Sequence, residues 1–117
     1  MKRTEKPWGY ELLWAHTDKY VGKLLHIDAG HALSKQYHEV KDETILVLKG
    51  QLTLEIGDGD TAETLIMNPD DTFHVTPGTI HRFVANQSVD LVEVSTPELG
   101  DVVRLEDRYG REGTSEA

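Results

Sequence analysis

GHALSKQYHEVKDETILVLKG, residues 30–50, places three side chains with metal-ligand chemistry close together: Gln36, His38 and Glu43. Gln36 and His38 are two apart, so on a β-strand both point to one face. Glu43 follows after a five-residue step, and the apolar run 44–48 behind it reads as the next strand. Gly50 ends that run, where a tight turn needs a residue free to take positive φ. The stretch is a polar cluster carried on a β scaffold.

The same scaffold extends in both directions. Short strand-like runs are expected at 10–15, 23–27, 33–38, 44–49, 51–56, 61–67, 72–75, 80–85 and 89–94. Turn signals such as Gly57-Asp58-Gly59-Asp60 and Asn68-Pro69-Asp70-Asp71 punctuate them. Leu52, Leu54 and Ile56 alternate with Gln51, Thr53 and Glu55, a clean period of two. Strand count and spacing predict an all-β sandwich or small barrel. Only 98–107 has the character of a helical turn or two. Residues 1–6 read as a loose, polar lead-in and 112–117 as a disordered tail. The run 44–48 is apolar on both faces, which predicts either simple sheet packing or a second layer against a partner.

At 117 residues the chain makes one domain, 1–117, large enough for a core without staples. It has no cysteine, which excludes disulfides and thiolate metal sites. No signal peptide or membrane span is visible, so a soluble cytoplasmic protein is expected. A formal net charge of −9 argues against nucleic-acid binding. It also makes an anionic ligand surprising unless Lys and Arg are gathered locally.

Written as spacing, Gly30-x5-Gln36-x-His38-x4-Glu43-x6-Gly50 resembles the first cupin motif, with Gln36 where the first histidine would stand. Pro77, Gly78, His81 and Asn86 resemble the second motif more loosely. Asp70 replaces its glycine, and the proline and asparagine each fall one place late. The likeness extends to the cupin domain at the end of type II mannose-6-phosphate isomerases. That domain has counterparts of Pro7-Trp8-Gly9-Tyr10, of Leu33-Ser34-Lys35-Gln36-Tyr37-His38, and of the tail DVVRLEDRYGR at 101–111. Lys35, Val40 and Thr44 depart from it.

The resemblance implies a small cupin, a double-stranded β-helix of the jelly-roll barrel type. It implies a divalent metal, zinc first, held by Gln36, His38, Glu43 and His81. The ligand types also suit Mn, Fe, Ni or Cu. The implied reaction is aldose–ketose interconversion of a phosphosugar, with Lys23, Glu106 and Asp107 as candidates for moving the proton. Strand parity turns Lys35, Arg82 and Tyr37 away from the metal face, leaving Lys23, Arg104 and Arg111 as candidates for the phosphate. Trp8 and Tyr10 are candidates for the pocket mouth. Cupins usually pair, so a homodimer is expected. Two other readings stay open: a small metal-dependent dioxygenase, and a non-catalytic module binding a sugar or sugar nucleotide.

Overall fold

The computed structural model describes residues 1–111 and the backbone of Gly113–Thr114. The first seven strands are β1 (Lys2–Lys6), β2 (Gly9–His16), β3 (Val21–Ile27), β4 (His31–Ala32), β5 (Lys35–Tyr37), β6 (Glu43–Lys49) and β7 (Leu52–Ile56). After a 3-10 turn at Gly59–Thr61 come β8 (Glu63–Met67), β9 (Thr72–Val75), β10 (His81–Ala85), β11 (Val89–Ser95), β12 (Val103–Glu106) and β13 (Gly113–Thr114). They form two antiparallel sheets, β1-β2-β3-β11-β6-β9 and β13-β12-β5-β10-β7-β8, with β4 added beside β10. This is the all-β class that the spacing predicts, in the jelly-roll form that the resemblance implies. No helix among the described residues is long and apolar enough to cross a membrane.

Alternation builds the core. Ile45, Val47, Leu25, Ile27, Val89 and Leu91 project inward from one sheet. Leu52, Leu54, Phe83 and Ala85 meet them from the other. Each fully buried aliphatic side chain contributes roughly 1.5–3 kcal/mol relative to exposure. Gly50 closes the β6–β7 turn at φ +83, and a Cβ there would lie 2.3 Å from the Ser88 carbonyl oxygen. Both the turn and the close approach require glycine.

Three expectations change. Residues 1–6 are not loose: β1 pairs along its whole length with β2, from Lys2 opposite Leu13 to Lys6 opposite Gly9. Residues 98–107 are not helical. Val103–Glu106 add to the open edge of β5, where the β-branched pair Val102-Val103 suits an extended backbone. The expected strand 33–38 shortens to β5, and the two-residue β4 precedes it, both paired with β10. Of the tail 112–117, Gly113–Thr114 pair with Val103 and Arg104. Residues 112 and 115–117 lie outside the described residues.

The run 44–48 divides its apolar side chains as a two-sided strand does. Ile45 and Val47 are buried, whereas Leu48 is 46% exposed. The outer face of the same sheet also carries Val94, on β11, and Trp14, on β2, both about half exposed. The second apolar face therefore points out of the molecule.

Candidate metal centre

His38, Glu43 and His81 come together at one end of the core, all three buried, with their candidate ligand atoms within 4.8 Å of one another. Glu43 begins β6 and His81 begins β10, so each is fixed by a ladder at the point where it enters the sheet. His38 follows β5 directly. Its Nδ1 lies 2.6 Å from the Asp101 carbonyl oxygen, and the Nδ1 of His81 lies 2.8 Å from that of Thr79. A carbonyl only accepts, so each Nδ1 carries a proton, and in the neutral rings both Nε2 atoms carry lone pairs. The two Nε2 atoms face the same oxygen, Glu43 Oε1, at 3.0 and 3.5 Å. Two lone pairs and a carboxylate oxygen aimed at one point is a poor arrangement for hydrogen bonding and a suitable one for a divalent cation. Glu43 Oε2 is buried without a hydrogen-bond partner, which adds to the case. This cluster could hold a metal.

The neighbouring wall is charged. The cavity is lined in part by Ser34, Gln36, Lys41, Glu93, Glu11 and Lys23. Gln36 stands directly opposite His81 on one side and Arg104 on the other, so these three side chains share the inward face. On the facing sheet Lys23 stands opposite Glu93. Lys23 Nζ lies 3.3 Å from Glu11 Oε1, and Lys41 Nζ lies 3.2 Å from Glu93 Oε2 and 3.7 Å from Glu43 Oε2. Burial alone would raise the Glu43 carboxyl. The hydrogen bonds that the two imidazoles donate when Nε2 is protonated, with the charge of Lys41, outweigh it and hold the group well below the usual carboxylate range. Glu93 goes the other way: burial, with the charge of Glu43 beside it, pushes it up to about 7.

The sequence candidates divide. Lys23, Arg104, Arg111 and Trp8 line the cavity with the metal cluster and Gln36. Tyr10 does not. Period two turns Glu11 inward and Tyr10 outward, where it stacks on His26 beneath Arg3. Glu106 also departs, because the register shift between Arg104 and Glu106 breaks the alternation. Its carboxylate is exposed and pairs with Lys35, 3.2 Å away. Asp107 is buried behind Arg111, accepting from its Nε and its backbone N at 2.9 and 2.7 Å, and so positions that guanidinium. Lys35 also pairs with Asp58.

Four cavity residues escape the sequence reading: Lys6, Glu11, Lys41 and Glu93. Glu93 sits in phase with the inward Val89 and Leu91, and a charge at an inward position is the signal that could have found it. The apolar outward residues Val92 and Val94 blur that phase. Ser34 escapes too; its Oγ is buried, unpartnered and part of the cavity wall.

Comparison with known proteins gives a match of residues 23–95, more than half of the chain, to a family model described as a cupin domain. Mannose-1-phosphate guanylyltransferase of Escherichia coli (strain K12) is 33% identical over 112 residues, 91% of this chain and 22% of that protein. The chain thus spans less than a quarter of the length of the curated relatives it matches. Among solved structures, KdgF from Halomonas sp. superposes with a TM-score of 0.74 at 21% identity, covering 84% of this chain and 89% of that one. A sugar phosphate isomerase from a cupin superfamily, from Silicibacter pomeroyi, gives 0.69 at 20% identity, covering 81% and 64%.

Proposed function

The chain belongs to the cupin domain family, and from that premise we propose that it is a metal-dependent isomerase interconverting aldose and ketose forms of a sugar phosphate, of the mannose 6-phosphate to fructose 6-phosphate type. The observation that carries this is the convergence of His38 Nε2, His81 Nε2 and Glu43 Oε1 in a cavity whose other wall is basic. The guanylyltransferase relative is named for a phosphosugar, and that likeness supports a phosphosugar ligand here. The Silicibacter protein, which shares the fold, is named a sugar phosphate isomerase.

Zinc is the proposed metal, held by His38, Glu43 and His81 with Gln36 beside them; it would supply Lewis-acid polarisation of the oxygens on C1 and C2. This chain's own residues do the rest. Glu11 is the cavity carboxylate placed to take a proton from one carbon and return it to the next, with Lys23 holding it in position. Arg104 and Arg111 hold the anionic end, and Trp8 closes the apolar side.

The test is a coupled assay of purified, zinc-loaded protein with mannose 6-phosphate, together with elemental analysis. Formation of fructose 6-phosphate, abolished by chelator and restored by zinc, is the expected result. A ligand-induced thermal shift without product would replace the enzyme by a sugar-binding module. Iron-dependent oxygen uptake would replace it by a dioxygenase.

A second copy of the chain is the proposed partner for the outward apolar face of Leu48, Val94 and Trp14. Light scattering should give twice the mass of 13.2 kDa, and Leu48→Glu should return the monomer. A wild-type monomer at high concentration contradicts this.

A further inference from the structure

Glu43 divides its two oxygens between unlike neighbours. Oε1 faces the imidazoles of His38 and His81. Oε2 is buried, has no hydrogen-bond partner among the described residues, and lies 3.7 Å from Lys41 Nζ. That is too long for a hydrogen bond, yet close enough for charge attraction in a site withdrawn from water. Lys41 is held there from both ends. Its backbone N–H donates to Asp101 Oδ2 at 2.8 Å, and its Nζ donates to Glu93 Oε2 at 3.2 Å. Glu93 is fixed in turn in the middle of β11, between Lys23 on β3 and Ile45 on β6. All three of Lys41, Glu43 and Glu93 are buried. Packing alone does not call for an ion pair there, because an apolar pair of similar volume is often as stable or more so.

We infer that Lys41 is a positioning residue: anchored by Glu93, its ammonium keeps Glu43 Oε2 turned from the metal, so that Glu43 binds through Oε1 alone and the ion keeps positions open for two oxygens of a ligand. A carboxylate can ligate through one oxygen or both. Without the ammonium, the unpartnered Oε2 would be drawn to a divalent cation as Oε1 is. It would then fill a position that an incoming ligand needs. Glu93 has the complementary task. It offsets the charge of Lys41, which standing alone would repel the metal.

This role rests on the reading of His38, Glu43 and His81 as a metal site, and its test has readouts other than turnover. One variant combines Lys41→Met with Glu93→Gln, which removes both charges and leaves neither buried alone. The other, Lys41→Arg, keeps the cation. Cobalt(II) is the reporter metal, because its visible absorption weakens as it gains ligands. In the double variant that absorption should fall. Affinity for acetohydroxamate, which grips a metal through two oxygens, should drop about tenfold or more, as expected for loss of an outer partner of a ligand. Lys41→Arg should keep the wild-type absorption and affinity. Unchanged or stronger absorption in the double variant overturns the role, and so does a Lys41→Arg protein that behaves like the double variant. Wild type that retains no cobalt overturns it together with the metal site. The expected spectra and affinities in a protein with no isomerase turnover uphold the role and remove the isomerase reading alone.

Discussion

Glu43→Gln will abolish divalent-metal retention while leaving the fold intact, and its melting temperature will no longer respond to chelator. The wild type points two imidazole lone pairs at Glu43 Oε1 from 3.0 and 3.5 Å, an arrangement only a cation or extra protons can satisfy. The glutamine amide has the same shape and brings N–H donors where the cation would lie, so it can bond directly to an imidazole nitrogen. Lys41 keeps its partner Glu93 at 3.2 Å. The fold nevertheless holds the Glu43 carboxyl well below its ordinary value, and a neutral glutamine forgoes that stabilisation, so metal-free Glu43→Gln should melt below metal-free wild type at neutral pH. Wild type at a metal concentration of 100 times the dissociation constant gains about 2.7 kcal/mol, and the variant gains none. The loss of affinity should exceed the roughly 10–100-fold cost of removing an outer partner of a ligand. Acid acts in the same direction on the wild type: ligand imidazoles must be unprotonated to bind, so metal leaves as pH falls. Calorimetry and differential scanning with and without chelator measure all of this. A variant that binds zinc as tightly as wild type would remove His38, Glu43 and His81 as the metal site.

The candidate site was legible where chemistry and spacing coincide. Gln36, His38 and Glu43 stand out by ligand chemistry and strand spacing, and His81 joins them through the resemblance of Pro77, Gly78 and His81 to a second cupin motif. Parity also separated Lys35 and Arg82 from the cavity. It failed where the apolar pattern has no phase. In β2 Leu12, Leu13 and Trp14 run together, so nothing in the sequence says that Glu11 faces in and Tyr10 faces out. In β11 Val92 and Val94 hide the inward phase of Glu93. Lys41 lies between strands, where there is no period to read. Strand β1 is polar on both sides, one turned to water and the other to a basic recess, and so lacks the hydrophobic alternation by which strands are recognised. Glu106 fails for a different reason: a register shift of one position in β12 sends it to the other face.

Asp101→Ala will weaken metal binding about 10–100-fold and destabilise the fold by about 2 kcal/mol, although Asp101 touches none of the ligand atoms. Its two carboxylate oxygens accept from the backbone N–H groups of Glu39, Val40 and Lys41 at 3.0, 2.7 and 2.8 Å. Its own carbonyl accepts from His38 Nδ1 at 2.6 Å. One residue from the tail thus holds both the ring of His38 and the turn that carries Lys41 towards Glu43. Without it, His38 loses the bond that fixes its tautomer only if the carbonyl moves. That movement is expected, because the three amide bonds are what tie Asp101 in place. Asp101→Asn keeps one acceptor oxygen and should lose less on both measures. Burial tends to raise the Asp101 carboxyl, but the three amides outweigh it and hold it below its ordinary value of 3.8. Since the folded value is the lower one, this stabilisation is complete above the ordinary value and is lost as pH falls through the folded one. Denaturant titrations should therefore show wild type and Asp101→Ala converging in strong acid and separated at neutral pH. A variant with unchanged zinc affinity would mean that the turn 39–41 is held by the strands alone. The persistent ladder of β5 against β10 and β12 would then have to account for the placement of His38.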